Sequence, residues 1–259
     1  MALALITGAS SGIGLALAEE LAASGANVIL TARNGAALDR IAGGLAGTHG
    51  IQTTVISLDL SRPDAAAALV SAVRERGMEP DILVNNAGFA TYGKFHEVPL
   101  QAQLEEIRLN VMALVELTGL LVPKMVERRH GYVLNVASTA AFQPGPLMSV
   151  YYASKAFVLH FSEGIANELK GTGVTVTALC PGPTESGFQE RAMMQDSRLL
   201  RSGLMDARTV ARAGLDGMYA GRPVVIPGLR NRLLALAVRF SPRALAANIA
   251  RQMQERVSK

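Results

Sequence analysis

A chain of 259 residues, 49% of them hydrophobic and 18% charged, is long enough to bury a large core within one α/β domain, which excludes a disordered or fibrous class. The formal net charge of +4 comes mainly from scattered arginines, gathered only near the C-terminus, so no nucleic-acid footprint is expected. The one cysteine, Cys180, excludes an intrachain disulfide and fits a reducing, cytoplasmic setting.

Apolar runs alternate with helical patterns along the whole chain. Strands are expected at 3–6, 27–31, 52–58, 82–84, 131–136, 174–179 and 223–226, and they are apolar on both faces. Strands buried on both sides of a parallel sheet read this way. Amphipathic segments lie between them at 12–24, 35–47, 62–77, 100–129, 150–170 and 206–220. The alternation predicts a doubly wound, seven-stranded parallel sheet with helices on both faces. No signal segment is expected in M-A-L-A-L-I, and no stretch approaches the ~20 uninterrupted apolar residues of a transmembrane span, so none is expected. No linker or repeat interrupts the pattern.

The first strand runs into Thr7-Gly8-Ala9-Ser10-Ser11-Gly12-Ile13-Gly14, which opens the first helix. Glycines at this turn let a pyrophosphate approach backbone N–H groups at a helix N-terminus. The spacing is G-x-x-x-G-x-G, and a plain turn is the bland alternative. After the second strand comes Leu30-Thr31-Ala32-Arg33-Asn34. In a dinucleotide fold a carboxylate here bonds the ribose 2′-hydroxyl, and a basic residue accommodates a 2′-phosphate. Arg33 therefore favours NADP(H) over NAD(H). Asp59, followed by Leu60, ends the third strand. It either accepts from an adenine amino group or, with Ser61, caps the next helix. Asn85-Asn86-Ala87-Gly88 ends the fourth strand, where amides fix a turn and small residues leave room for a cofactor. Asn110 interrupts an apolar and charged helix. It is either a satisfied buried amide or the holder of a water beside Lys155.

Ser138 follows the fifth strand, and Tyr151 and Lys155 stand four apart on the next helix, on one face. An ammonium near a phenol lowers the phenol's pKa, and a tyrosine so tuned exchanges a proton with a substrate oxygen. Ser138 would hold the same oxygen. Cys180, at a strand end, reads as a small core residue. The four histidines show no ligand spacing, so no metal is expected.

In order and spacing, T-G-A-S-S-G-I-G, Asp59-Leu60, N-N-A-G, Asn110, Ser138, Y-Y-A-S-K and Pro181-Gly182 resemble a short-chain dehydrogenase/reductase of about 250 residues. The likeness covers roughly 1–226 and implies a Rossmann-type fold. It implies Tyr151 as general acid/base, Ser138 as the carbonyl-orienting hydroxyl, and Lys155 as the residue that lowers the tyrosine pKa and bonds the nicotinamide ribose. Asn110 becomes a proton-relay member. Gly8, Ser10, Ser11, Gly12, Ile13, Gly14, Arg33, Asp59, Leu60, Asn86, Ala87, Gly88, Pro181 and Gly182 become the cofactor site. Thr184 or Ser186 would take the carboxamide. The glycine loop lacks the basic residue often found in NADP-dependent relatives.

A single domain is expected over 1–228, with a substrate lid at about 183–205 and a C-terminal helical extension over 229–259. Phe89, Phe142, Gln143, Met148, Phe188 and Met193 would wall a mainly apolar pocket. Tyr152 is assigned to packing or to that wall. The extension has an apolar and a basic face. It covers the cleft or a partner subunit, or touches an anionic membrane surface as a less favoured alternative, or covers the sheet edge. The resemblance implies a homodimer or homotetramer built on the two long helices. The expected activity is NADPH-dependent reduction of a small ketone or aldehyde, or the reverse oxidation. A 3-oxoacyl-thioester reductase is the alternative, and a non-catalytic NADP-binding regulator the alternative of another class.

Overall fold

The structure is a computed structural model that describes residues 1–187 and 203–255. Seven parallel strands form one sheet: β1 (Leu3–Thr7), β2 (Asn27–Ala32), β3 (Thr53–Ser57), β4 (Ile82–Asn85), β5 (Gly131–Val136), β6 (Val174–Leu179) and β7 (Val224–Val225). Their spatial order is β3-β2-β1-β4-β5-β6-β7. The expected last strand shrinks to the two residues that pair with Ala178 and Leu179.

Alternate strand residues go to opposite sides, as a pleat requires. Ala4, Ile6, Val28 and Leu30 pack against α1 (Gly12–Ala23) and α2 (Gly35–His49). Leu5, Ile29, Leu83 and Val133 pack on the other side, against α3 (Ala65–Glu75) and, past α4 (Leu100–Ile107), α5 (Ala113–Glu127). The helix α6 (Ser149–Glu168) lies beside β5 and β6 on that second face, and α7 (Ala207–Tyr219) returns to the first, with Val210, Leu215 and Met218 buried. Two further helices, α8 (Leu229–Phe240) and α9 (Arg243–Gln254), follow β7.

Two expected helices change at their ends or middles. The third starts at Ala65 rather than 62, because Arg62 precedes Pro63 and is disfavoured in helical geometry, while Asp64 sits at φ +59°. The long fourth helix is broken into α4 and α5 by a π-helical turn over Arg108–Met112. Leu100–Glu127 is long and apolar enough, by length and mean hydropathy, to cross a membrane. Its apolar character has a packing explanation: Leu117, Leu121 and Met125 are buried against the sheet.

A polar chain crosses the middle of the molecule. Asn85 Nδ2 donates to Asn135 Oδ1 (2.9 Å) and to Thr118 Oγ1 (3.1 Å), and Asn135 Nδ2 donates to Ser162 Oγ (2.9 Å). Asn135 is fully buried, so it joins β4 and β5 to α5 and α6 through groups that water cannot replace. Asn135→Leu removes one bond from each neighbour, leaving Asn85 Nδ2 only Thr118 Oγ1 and Ser162 Oγ only the Val158 carbonyl. It should destabilise the fold by roughly 2–4 kcal/mol in urea unfolding; a loss under about 0.5 kcal/mol would show that the chain carries no stability.

Candidate active site

The C-terminal ends of β1, β4, β5 and β6 open into one continuous groove of about 880 Å³, bounded at one end by the glycine loop and at the other by α8 and α9. Because β1 and β4 are neighbours that feed helices on opposite faces, their loops diverge and leave this crevice.

The loop after β1 forms the first wall. Gly8 has φ +66°, and a Cβ there would lie 2.8 Å from Asn86 Nδ2 and 2.9 Å from Ala87 Cα. At Gly14 a Cβ would meet the Gly8 carbonyl oxygen and Asn86 Nδ2, each at 2.3 Å. The backbone therefore comes close where a side chain would fill the crevice. The first turn of α1 carries no acidic residue, so its amides and dipole favour an anion. Ser10, Ser11, Gly12 and Ile13 line the groove, whereas Gly14 packs behind it. These features fit a dinucleotide.

Asn86 ties the loops after β1 and β4 together. Its Nδ2 donates to the carbonyls of Thr7 (2.9 Å) and Gly8 (3.2 Å), and its N–H donates to Thr7 Oγ1 (2.9 Å). Asn86, Ala87, Gly88 and Phe89 continue the wall. Arg33 is exposed at the groove, where Asp59 and Leu60 also line it. Asp59 accepts from Ser61 N–H (3.0 Å) and Oγ (2.7 Å) and caps a turn, not α3, which begins after Asp64. Burial pushes its carboxyl upward, yet the Ser61 bonds and the nearby Arg33 and Arg62 charges hold it below its ordinary value.

Ser138, Tyr151 and Lys155 converge beyond β5. Ser138 follows β5 and starts a 3₁₀ turn (Thr139–Phe142), where its Oγ accepts from Ala140 N–H at 3.1 Å. It also shares a hydrogen bond with Tyr151. Lys155 is buried, donates to the Val136 carbonyl at 2.7 Å, and lies 5.8 Å from the Tyr151 ring centroid. The expected lowering of the tyrosine pKa does not hold in this arrangement. Burial raises the Tyr151 phenol above its ordinary value, with the Ser138 bond opposing it and the Tyr152 and Glu106 groups adding to it. Burial also lowers Lys155, to about 8, against the opposing Glu106 charge.

Asn110 lies behind the wall. It occupies the π turn, is buried, accepts from Phe89 N–H (3.1 Å), and donates to Phe89 O (2.9 Å) and Ser154 Oγ (3.1 Å). A Cβ on Gly88 would meet Asn110 Oδ1 at 2.9 Å and Lys155 Nζ at 3.6 Å, so both groups flank that glycine. The amide thus holds the loop after β4 against α6.

Past β6, Pro181, Gly182, Thr184 and Ser186 line the groove. Thr184 is buried with Oγ1 on the Gly182 carbonyl (2.9 Å), and Ser186 Oγ donates to Thr184 O (3.2 Å). Cys180 is buried in an apolar cluster, with its thiol pushed up to about 12 by that burial. Phe142, Gln143, Met148 and Tyr152 complete the wall on this side. Phe188, Met193 and most of the expected lid lie outside the described residues.

Three groups in the site escape the sequence patterns. Glu106, on α4, is fully buried. Its Oε2 accepts from Thr91 N–H (2.9 Å) and Oγ1 (2.8 Å), and its Oε1 has no hydrogen-bond partner. Gln254, on α9, donates through Nε2 to the Tyr152 hydroxyl (2.6 Å), while its backbone carbonyl accepts from Tyr92 OH (2.7 Å). Asn231 of α8 sits against Gly182, where a Cβ would meet its Nδ2 at 2.6 Å. The one signal for Gln254 is its place on a buried stripe with Ala246 and Ala250 at four-residue spacing. Glu106 carries no signal, since E-E-I reads as an exposed helical turn.

The short chain dehydrogenase family profile matches residues 2–196. A very-long-chain 3-oxoacyl-CoA reductase of Anas platyrhynchos is 39% identical over 182 residues, which are 69% of this chain and 58% of that protein. The chain thus spans under two thirds of that relative's length. A short-chain dehydrogenase from Sphingobium yanoikuyae, solved in complex with NADPH, is 34% identical with a TM-score of 0.84, covering 93% of this chain and 94% of that one. A bulky-bulky ketone specific alcohol dehydrogenase from Comamonas testosteroni is 30% identical with a TM-score of 0.79, covering 93% of each chain.

Burial raises the Glu106 carboxyl from 4.5 to about 7, although the Thr91 bonds and the Lys155 charge oppose it. Between those values the folded chain keeps a proton that the unfolded chain has released, so stability falls as pH rises through that window. Glu106→Gln should flatten that slope and gain roughly 1–3 kcal/mol near pH 8 relative to the parent. Urea unfolding at about pH 5 and about pH 8 reads it, and an unchanged difference between the two would clear Glu106 of the effect.

Proposed function

This chain belongs to the short-chain dehydrogenase family, and from that membership we propose that it uses NADP(H) to reduce the carbonyl of a mainly apolar small substrate, or to run the reverse oxidation. The observation that carries the reading is the Ser138–Tyr151 pair facing the groove beside a buried lysine.

The glycine loop and the first turn of α1 would hold the pyrophosphate, and Arg33 a 2′-phosphate. Asp59 and Leu60 would flank the adenine, Lys155 the nicotinamide ribose, and Thr184 or Ser186 the carboxamide. Bound there, the nicotinamide supplies or accepts the hydride. The protein's part is the proton. The Tyr151 phenol is protonated at neutral pH and lines the groove, placed to donate to a carbonyl oxygen. Ser138 accepts from Ala140 N–H and donates to the Pro181 carbonyl at 3.5 Å, a long bond that a substrate oxygen beside Tyr151 would replace. Lys155 offsets the phenolate that the transfer leaves, and its lowered pKa lets it pass on a proton. Asn110 is a positioning residue that fixes Phe89 and α6.

Support for a 2′-phosphate comes from Arg33 and from the absence of a carboxylate between Leu30 and Asn34. The NADPH complex of the Sphingobium protein agrees with it. Phe142, Met148, Leu234, Val238 and Met253 make the substrate end of the groove apolar. A second reading, reduction of a 3-oxoacyl thioester, is favoured by the name and similarity of the Anas relative. Pairing of copies through α4, α5 and α6 is supported by the exposed Ile107, Met112 and Phe157.

NADPH oxidation with ketones, aldehydes and 3-oxoacyl thioesters separates the two substrate classes. Tyr151→Phe should lower kcat by at least about 100-fold while the NADPH Kd stays within about twofold; retention of more than a few per cent of turnover would remove the assigned role. Arg33→Ala should weaken NADPH by about tenfold or more and leave NADH nearly unchanged. Equal losses for both cofactors would count against a phosphate at Arg33.

A further inference from the structure

The two C-terminal helices carry their apolar side chains on the opposite side from a helix packed for stability alone. Toward the body, α8 and α9 bury Ala235, Ala246, Ala250 and Gln254. Away from it, Leu229, Leu233 and Phe240 are 72%, 58% and 83% exposed, and Leu236 and Leu245 are also exposed. A helix that only covers its own domain turns its largest apolar residues inward. Here alanines take the most buried positions, Leu234, Val238 and Met253 meet the groove, and Leu229, Leu233, Leu236, Phe240 and Leu245 stay exposed.

The charge pattern says what suits that outer strip. Residues 229–254 hold Arg230, Arg232, Arg239, Arg243 and Arg251 and no Asp or Glu. Glu255, just beyond, pairs with Arg251 at 3.4 Å. Leucine and phenylalanine bordered by arginines, with no carboxylate among them, match the headgroup region of an anionic bilayer. The apolar groups enter the acyl boundary and the guanidinium groups meet lipid phosphates. A second copy matches less well. A twofold contact sets the same strip against itself, so arginines would face arginines with no carboxylate in either helix to pair them. The strip is also continuous with the groove, because Leu229, Leu234 and Ile249 are exposed and line its mouth as well.

We propose that α8 and α9 form a docking surface for anionic phospholipid membranes, with the mouth of the groove turned toward the bilayer. The docking uses none of the groups assigned to proton transfer, so it stands or falls separately from the reductase reading.

The test is co-sedimentation of the full chain with vesicles of phosphatidylcholine alone or mixed with phosphatidylglycerol, at low and high salt. The chain should bind the mixed vesicles, bind phosphatidylcholine alone at least about tenfold more weakly, and be released by salt. Leu233→Ser/Phe240→Ser and Arg239→Gln/Arg243→Gln alter residues outside the groove wall. Each pair should weaken binding by about tenfold or more, with the thermal midpoint and the oligomeric state in light scattering unchanged. Absence of binding to mixed vesicles overturns the proposal, as does equal binding to both vesicle types or binding that survives both variants. A Leu233→Ser/Phe240→Ser protein that falls from dimer to monomer also overturns it, and assigns the strip to a second copy.

Discussion

An ammonium removed from water has to be met by fixed dipoles or charges, and Lys155 is the point where that demand is concentrated. The Val136 carbonyl at the end of β5 accepts from it directly, and the Glu106 carboxyl acts on it from α4. These two groups sit on elements far apart in sequence, so the ends of β5, α4 and α6 have to be held in one register. The Asn85–Asn135–Ser162 chain supplies that register from within the sheet. Asn110, in its π turn, supplies it from the loop side by binding Phe89 and Ser154 at once. A π turn adds one residue to a helical turn, which rotates a side chain into a place that regular geometry would deny it. The interruption in the long helix is therefore part of how the buried lysine is accommodated.

The crevice itself is a consequence of close backbone approach. Asn86 donates to two carbonyls of the loop after β1, and Gly8 and Gly14 lie against its amide. The two loops that would embrace a dinucleotide are thus one hydrogen-bonded unit, and its shape depends on residues with no Cβ. Tyr151 lines this prepared space beside Ser138.

Much of this was legible from residue types and spacing. The strands are continuous apolar runs because both their faces are buried, and the glycine loop announces itself because only glycine tolerates φ +66° at Gly8 without strain. Tyr151 and Lys155 are four apart, a spacing that geometry converts directly into a shared helix face. What stayed hidden depends on contacts between distant segments. Glu106 looks like a solvated helical residue until Thr91 is folded onto it. The direction of the Tyr151 shift is set first by how deeply the phenol is buried, and spacing does not encode that. The turn over Arg108–Met112 left only an out-of-place asparagine as its trace, and Asp64 with Pro63 moved a helix start by three residues. The buried alanines and exposed leucines of α8 and α9 show up as amphipathicity in the sequence, but which face is inward is settled only by packing.

The bond between Tyr92 and Gln254 joins residues 162 positions apart, and Gln254 also holds the side chain next to Tyr151. The sheet up to β6 is complete in sequence by Leu179, so most of the core precedes the last wall of the pocket. Closing so long a loop adds little entropic cost beyond that of a moderate one, since the penalty grows only with the logarithm of length. In vectorial synthesis the residues of the dinucleotide crevice emerge first, and the wall of the groove formed by α8 and α9 is added last, when Gln254 reaches Tyr152. A ribosome-bound or proteolytically clipped chain that stops at α7 would have its cofactor-binding half built while its substrate chamber stands open to water.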